Sequence, residues 1–446
     1  RTQAEAVRKK GVCAVTGRVD FSALSEFRKK VEKHLEETST ETDELNPQSA
    51  HRALNPGSPF QPTPDGNALP KDLSKDATAR FYLRVLEKEL TEDGVTEIAF
   101  NNPASQTIFI EKYGRWEERP FRVTPRENEK GVRRMAEGER ELPQEVQTQA
   151  NYDFINSLSI AVAQFNSTDI KESSPILSAT LPDGERVQFV RPPACMKDTI
   201  SMTIRRPSME VRTPESYEEI GFYDELHEVS TVRAGSEELL DLYGRFFDEK
   251  LKPEELRQSR SDFMRRCVEL GRTVVIAGST GSGKTTYMKA LMQYIPKTDR
   301  IITIEDCPEL VYGLPNHKNQ VNLLYPSEAT AESPVNATKL MKSCLRMKPD
   351  RILLAELRGG ETYDWVNSVL SGHSGSITSC HAANALAVFD YLAMKIRENP
   401  VGRSVPNVTE LIKSVIDVIV HIQNDKGKRY ITEVYFREFQ ESRTKP

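Results

Sequence analysis

The chain has 446 residues, a formal net charge of −5 and a pI of about 6.0, and its length exceeds one ordinary hydrophobic core, so two or more domains are expected. The mild acidity argues against a strongly basic nucleic-acid binder, and we predict no sequence-specific nucleic-acid partner. No apolar run in the sequence is long enough to span a bilayer, and no apolar secretory segment is visible near the N-terminus.

Residues 1–75 differ in composition from the rest of the chain. Asp20 is a suitable N-cap for a helix that runs to about Glu37, with one apolar stripe and charged residues elsewhere. Six prolines fall between Asn46 and Pro70, a composition that buries little surface. We therefore predict an N-terminal helical arm and a proline-rich linker.

Residues 76–206 have the pattern of a small α+β domain. Short β-branched runs alternate with two segments of helical periodicity, and Pro182-Asp183-Gly184 is a turn signal between two strands. The charged stretch 117–149 is expected to begin as a strand and to include an exposed insertion. The predicted helices are 77–90 and 152–165, and the predicted strands are 95–100, 107–111, the two arms of a hairpin within 176–192, and 199–204.

An acidic, irregular segment at 207–258 is predicted to be a long inter-domain linker. From 259 to 446, strands and helices alternate, which is typical of a parallel sheet covered on both faces, and a terminal antiparallel hairpin follows. The fold class predicted for the chain is therefore α/β. After a helix at 259–270, the predicted strands are 273–277, 300–304, 351–355 and 375–380, the helices are 285–295, 336–347 and 361–370, and the hairpin arms are 415–423 and 429–437.

One loop predicts nucleotide binding. Residues 278–286 fit the pattern G-x-x-x-x-G-K-[ST], and they lie between a β-branched strand and a helix. This arrangement directs backbone N–H groups and a positive helix end at a phosphate. We expect Lys284 to reach the β- and γ-phosphates of ATP and Thr285 to bind Mg²⁺. The predicted nucleotide-binding residues are Gly278, Ser279, Thr280, Gly281, Ser282, Gly283, Lys284, Thr285 and Thr286.

Carboxylates follow two predicted parallel strands, at the edge where a phosphate crevice forms. Glu305 ends the strand at 300–304 and is a candidate for Mg²⁺ binding and catalysis. Glu356 follows the apolar strand at 351–355 and is suited to accept a proton from water. Arg358 follows closely, and either orients Glu356, contacts phosphate or forms a surface salt bridge.

A histidine is expected beside these acids. Gly372 and Gly375 bracket a tight turn, and the small-residue strand 376–380 presents His381 at its end. A lone histidine is often only a structural hydrogen-bonding group. Its position after the loop and two acidic strands favours a role in sensing phosphate.

The order of these four elements resembles the secretion ATPase superfamily, with its Walker A, Asp box, Walker B and His box. The segments S-C-L-R-M-K-P-D-R at 343–351 and I-L-S-A-T-L-P-D-G-E-R-V at 176–187 are most similar to the ring ATPases of type IV secretion systems. The likeness covers roughly residues 77–438. It implies a RecA-like C-terminal domain, 259–446, joined by the long linker to the smaller N-terminal domain.

The resemblance also implies a homohexameric ATPase with nucleotide between its two domains. Arg186 and Arg205 resemble the N-terminal arginines that reach the nucleotide phosphates, and which of Arg205 and Arg206 points inward stays open. The long linker resembles that of relatives whose N-terminal domain is swapped onto a neighbouring subunit. Whether Arg186 and Arg205 act on the nucleotide of their own subunit, in cis, or on that of a neighbour, in trans, therefore stays open. Expected partners are other ATPases and the inner-membrane complex of the apparatus, with peripheral contact on the cytoplasmic face of the bacterial inner membrane.

Three functions are consistent with these motifs. The first is an ATP-driven ring that energises type IV secretion, in pilus assembly and substrate translocation. The second is a sister motor of type II secretion or pilus retraction; the absence of any C-x-x-C pair argues against its extension-type members. The third is a nucleotide-gated assembly module with little turnover. The six irregularly spaced cysteines predict reduced cytosolic thiols.

Overall fold

The computed structural model describes residues 75–124, 131–208, 211–226 and 232–444. The predicted helix at 20–37 and the proline-rich segment lie outside these residues. The described residues belong to one compact unit, which contains a six-stranded and a seven-stranded sheet. We call them the first and second sheets.

The first sheet is antiparallel throughout, with strand order β3-β2-β1-β6-β5-β4. One long helix, α3, covers it because Phe154, Leu158 and Val162 recur at helical spacing and are almost completely buried. The strands are β1 Val95–Phe100, β2 Thr107–Lys112, β3 Arg115–Pro120, β4 Ile176–Thr180, β5 Arg186–Val190 and β6 Ser201–Arg205. The helices are α1 Lys75–Leu83, α2 Glu87–Thr91 and α3 Gln144–Phe165.

In the described part of the segment between the sheets lie the helices α4 Pro214–Glu219, α5 Ser236–Gly244 and α6 Pro253–Glu269. Helix α4 has no buried residue. In contrast, α5 buries Leu239 and Tyr243 in a core that it shares with α6 and the second sheet. The later half of the predicted linker therefore packs with the second sheet.

The second sheet has strand order β13-β12-β7-β11-β10-β8-β9, and all its pairs are parallel except β12–β13. Helices cover both faces, as expected for parallel strands whose side chains are buried on both sides. The strands are β7 Val274–Gly278, β8 Ile301–Glu305, β9 Gln320–Leu324, β10 Arg351–Leu354, β11 Ile377–Cys380, β12 Val418–Asp425 and β13 Lys428–Phe436. The remaining helices are α7 Lys284–Met292, α8 Ala337–Cys344, α9 Glu361–Leu370, α10 Ala387–Ile396, α11 Val408–Val415 and α12 Arg437–Thr444.

The two sheets meet around a fully buried arginine, Arg300, at the start of β8. Its guanidinium donates to Asn101 Oδ1 of the first sheet at 2.7 Å and to Asn319 Oδ1 and Met347 O of the second at 2.5 and 2.7 Å. Burial lowers the pKa of Arg300 to about 10. This cluster lies three strand positions from β7, about 14 Å at the usual strand spacing.

The α/β fold class is confirmed, and so are the strands, the α7 helix and the terminal hairpin that the sequence predicted after residue 259. Strand β9 and helices α10 and α11 were not predicted. The five cysteines in the described ranges are all free thiols. None of the described helices is long and apolar enough to cross a membrane. The domain boundaries at residues 75, 206 and 258 stay a prediction.

Candidate active site

The glycine-rich loop joins β7 to α7 in a shape that needs glycine. Gly278 has φ 153°, and a Cβ there would lie 2.3 Å from the carbonyl oxygen of Ile422 on β12. Gly281 and Gly283 have φ 73° and 95°, in the left-handed region that L side chains rarely adopt. Glycine therefore occupies the positions of this loop where the backbone turns and where β12 comes close.

The loop keeps hydrogen-bonding capacity unused. Ser282 donates its N–H to Ser279 O at 3.2 Å. Within the ranges that the structure describes, the N–H groups of Gly281 and Gly283 and the Thr285 hydroxyl make no hydrogen bond, and the Ser282 hydroxyl is buried without one. Unpaired donors at a helix start form a suitable cradle for an oxyanion. These residues therefore fit a nucleotide phosphate, and Thr285 fits a magnesium ligand.

Lys284, the first residue of α7, is folded back over the loop and is only 7% exposed. Its Nζ donates to Gly278 O at 2.9 Å and to Ser279 O at 3.1 Å. Burial lowers the pKa of Lys284, and the nearby Glu356 carboxylate opposes this shift. The ammonium group thus binds neutral carbonyl oxygens. A bound phosphate would offer it negatively charged oxygens instead, which form stronger hydrogen bonds with a cation.

His381 links the lysine to the acid that follows β10. Lys284 Nζ lies 3.4 Å from His381 Nδ1, and His381 Nε2 lies 2.9 Å from Glu356 Oε1. An ammonium group only donates, so a neutral His381 would accept at Nδ1 and carry its proton on Nε2, toward Glu356. Glu356 Oε1 is buried, its close polar neighbour among the described residues is His381 Nε2, and a carboxylate oxygen can accept two hydrogen bonds. This oxygen therefore keeps a lone pair available for a water molecule.

Arg358 extends this row of contacts to β8. Its guanidinium donates to Glu356 Oε2 at 2.9 Å and to Asp306 Oδ2 at 2.5 Å. The hydrogen bond to Glu356 is the main reason why the pKa of Arg358 is raised. Because β7, β11, β10 and β8 are parallel, the residues that follow them meet at one edge of the sheet. We call Lys284, His381, Glu356, Arg358 and Asp306 the polar row.

Glu305 does not join the polar row, contrary to the sequence expectation. It is fully buried, and its carboxylate accepts the N–H groups of Glu309, Leu310 and Val311 at 2.8, 2.7 and 3.1 Å. Burial raises the pKa of Glu305, and these backbone donors oppose the shift. The carboxylate thus holds the turn after β8, and the next residue, Asp306, provides the acid that reaches Arg358. A role for Glu305 in Mg²⁺ binding or catalysis is not supported by these contacts.

The two predicted arginines of the first sheet lie side by side but away from the loop. Arg186 and Arg205 are cross-strand partners on β5 and β6, and both are exposed. Arg206 donates to Glu92 O and Val95 O at 2.5 and 2.9 Å, so of that pair Arg205 is the outward one. Over the described ranges, no contact joins Arg186 or Arg205 to residues 278–286 of the same chain.

The terminal hairpin contributes contacts that the sequence did not predict. Strand β12 pairs with β7 as far as Ile422 opposite Gly278, and Asn424 Nδ2 donates to Gly281 O at 3.2 Å. Asn424 Oδ1 also accepts the Gly427 N–H at 3.0 Å, in the hairpin turn. The only sequence signal for this was the turn N-D-K-G, which indicates a hairpin but not the element it contacts.

Comparisons with known proteins agree on one family. The family described as "Type II/IV secretion system protein" matches residues 250–434. Type IV secretion system protein VirB11 of Brucella abortus is 43% identical over 371 residues, 82% of this chain and 91% of the relative. PtlH of Bordetella pertussis is 35% identical over 376 residues, 82% and 96% of the two chains. The VirB11 ATPase of Brucella suis, solved with sulphate, matches with a TM-score of 0.69 and 40% identity, over 83% of this chain and 98% of that one.

Proposed function

Since the chain belongs to the VirB11 family of type IV secretion ATPases, we propose that it hydrolyses ATP at the polar row. The observation that carries this proposal is the Glu356 carboxylate, whose buried Oε1 lies beside His381 Nε2 at the same sheet edge as the loop and its lysine. A phosphate-binding loop alone would explain nucleotide binding. A carboxylate oxygen free to accept a proton from water is the additional group that hydrolysis requires.

Each member of the polar row has a distinct role in this proposal. Lys284 moves from the loop carbonyls to the β- and γ-phosphates, and His381 orients Glu356 from its other side. Glu356 accepts the proton of the attacking water. Arg358 holds this carboxylate in place and is itself anchored by its hydrogen bond to Asp306. When Mg²⁺ is bound with the nucleotide, it neutralises charge on the phosphate oxygens, and Thr285 would hold it.

We assign the exposed arginines Arg186 and Arg205 to the nucleotide of a neighbouring subunit. The first sheet contacts its own second sheet around Arg300 and along β9, where Leu324 donates its N–H to Ala194 O at 3.0 Å. Strand β9 is four strand positions from β7, about 19 Å. Arginines on the first sheet are therefore remote from the loop of their own chain, and a ring of subunits supplies them in trans.

This arrangement favours a homohexameric ring whose domains move with the ATP state. Membrane contact would be peripheral, on the cytoplasmic side of the inner membrane, beside the other ATPases of the apparatus. The Brucella suis relative was solved with sulphate, an oxyanion like phosphate, which supports anion binding in the family. Light scattering after size-exclusion chromatography, with and without ATP, tests the ring: a mass six times that of one chain is expected, and a monomer under both conditions would contradict it.

Phosphate release by the wild type and by Glu356→Gln tests hydrolysis. We expect the variant to lose about 10²–10⁴-fold in turnover, because glutamine cannot accept the proton, while ATP affinity is kept. Glu410→Gln, on the exposed surface of α11, is the matched control and should leave turnover unchanged. If the wild type and Glu356→Gln are equally slow while both bind ATP, the chain is a nucleotide-gated assembly module instead. The family favours type IV secretion over type II secretion or pilus retraction.

A further inference from the structure

The hairpin β12–β13 is attached to the nucleotide-binding loop at two points. Ile422 approaches Gly278, and Asn424 Nδ2 donates to Gly281 O at 3.2 Å. Since Asn424 also holds its own turn through Gly427, the position of the hairpin tip is fixed relative to the loop. Side chains on this tip are therefore candidates for direct contact with a bound nucleotide.

Arg429 is the cross-strand partner of Asn424 and lies against the last glycine of the loop. Its Cδ is 3.2 Å and its Nε 3.7 Å from the point where a Cβ on Gly283 would lie. The guanidinium thus stands next to the start of α7, where the N–H groups of Gly281 and Gly283 make no hydrogen bond to any described residue. Arg429 is exposed, and among the residues that the structure describes it has no hydrogen bond, ion pair or ring contact.

An exposed cation beside a phosphate-binding loop is available to an anion from outside the chain. In such loops the backbone N–H groups bind the α- and β-phosphates, whereas the lysine reaches the β- and γ-phosphates. Here Lys284 is directed toward His381 and Glu356, at the γ-phosphate end. Arg429 lies instead at Gly283, next to the N–H groups that bind the other two phosphates.

We propose that Arg429 binds the α- and β-phosphates of the nucleotide, and that the terminal hairpin is therefore part of the binding site. The inference rests on the proposed function, because it requires a nucleotide in the loop. Both ADP and ATP carry these two phosphates, so Arg429 should contribute to the affinity of either. Arg429 should stabilise the bound nucleotide and the transition state of hydrolysis equally. Its loss should therefore weaken binding and leave turnover at saturating ATP nearly unchanged.

The test compares ADP and ATP affinities, measured by calorimetric titration, for the wild type, Arg429→Gln and Lys428→Gln. Lys428 is the matched control, because it is the adjacent cation of the same strand and is not in contact with the loop. We expect Arg429→Gln to weaken both nucleotides about tenfold, the effect of one exposed charge-assisted hydrogen bond, and Arg429→Lys to recover part of the loss. Turnover at saturating ATP should change less than about twofold, since the contact does not strengthen in the transition state.

Two results would overturn the inference. One is an affinity of Arg429→Gln equal to that of Lys428→Gln, and the other is a loss confined to ATP, which would place Arg429 at the γ-phosphate. Thermal unfolding of each variant confirms that the hairpin is intact. Lys284→Ala serves as the reference variant with a defective nucleotide-binding loop. If the wild type binds no nucleotide, the proposed function fails. If the wild type binds nucleotide and Arg429→Gln binds it equally well, only the present inference is rejected.

Discussion

Arg300 donates to Asn101 at 2.7 Å and thereby joins the second sheet to the first through a fully buried cation. Among the residues that the structure describes, no carboxylate accepts a hydrogen bond from this guanidinium; its acceptors are the amides of Asn101 and Asn319, a carbonyl and the hydroxyl of Thr203. Burial lowers the pKa of this guanidinium to about 10, and the charges of Glu97 and Asp350 oppose the shift. Arg300 is thus one of several contacts that join the sheets, together with the Leu324–Ala194 backbone hydrogen bond and the Gln188–Ser343 side-chain hydrogen bond.

We expect Arg300→Met to destabilise the protein by about 2–4 kcal/mol, because it leaves buried amide oxygens without a donor. Urea unfolding of the two proteins measures this difference. Arg346→Met, which removes an exposed arginine just after α8, is the control and should cost much less. Equal stabilities of the two variants would contradict a central role for Arg300.

Glu97 should make the stability depend on pH. Burial raises its pKa to about 7, against the opposing charges of Arg205 and Lys348, and its Oε2 is buried without a hydrogen bond. A carboxyl with a raised pKa binds its proton more tightly in the folded state, so its contribution to stability is lost as the pH rises from about 4.5 to 7. Glu97→Gln should therefore stabilise the protein at pH 8, by at most roughly 3 kcal/mol, and have little effect at pH 4.5.

Chemical denaturation of Glu97→Gln at both pH values, beside the exposed control Glu87→Gln on α2, measures this effect. The control should show the same difference from the wild type at both pH values. A gain for Glu97→Gln that is as large at pH 4.5 as at pH 8 would rule out titration of this carboxyl as its cause.

Lys284→Ala should weaken ATP binding about 10–100-fold, because the loop loses the only ammonium group that contacts its carbonyls in the described structure. Titration with a fluorescent ATP analogue measures the affinity. Lys289→Ala removes an equal charge later in α7 and serves as the control. ATP affinity that is unchanged in Lys284→Ala would reject the assignment of this loop.

Arg186→Ala should slow hydrolysis by about 10³–10⁵-fold while weakening nucleotide binding far less, as for an arginine that stabilises transition-state charge. Its action in trans is tested by mixing two inactive proteins. Rings formed from Arg186→Ala and Lys284→Ala subunits should regain activity, because some intact loops then face an intact arginine. A mixture of Lys284→Ala with Glu356→Gln should stay inactive, because Lys284 and Glu356 lie in the same site of one subunit and every site then lacks one of them. Recovery in the second mixture only, or in neither, would contradict action in trans.

The nucleotide-binding loop was predictable from sequence because its signal is local. Gly278, Gly281 and Gly283 are needed by the turn itself, and the flanking strand and helix are each encoded within a few residues. Glu356 and His381 were predictable for a related reason, since the carboxyl ends of parallel strands meet at one edge. The positions of all these residues follow from strand order and direction.

Glu305 shows where this reasoning fails. At the end of a strand, two successive side chains leave in different directions, and the sequence Glu305-Asp306 does not say which one turns toward the site. Here the turn after β8 offers three N–H groups to Glu305, which leaves Asp306 for Arg358. The outcome depends on a loop conformation that no periodicity encodes.

Strand β9 and the position of the hairpin were missed for two further reasons. Gln320–Leu324 is a short edge strand in which partly exposed residues alternate with buried ones, and this brief alternation was not recognised as a strand. The hairpin was predicted as an isolated unit because its turn is local, whereas its pairing with β7 joins segments far apart in sequence. Long-range pairing of this kind leaves no signal in a single chain.

The pairing of β12 with β7 also has a consequence for the order in which the protein matures. Gly278 is pressed against Ile422, and Gly281 is held by Asn424, so the loop is complete only once β12 is in place. That strand is translated long after the loop, and domains generally fold as units during synthesis. A chain still on the ribosome therefore has the sequence of this loop before it has the strand that supports it.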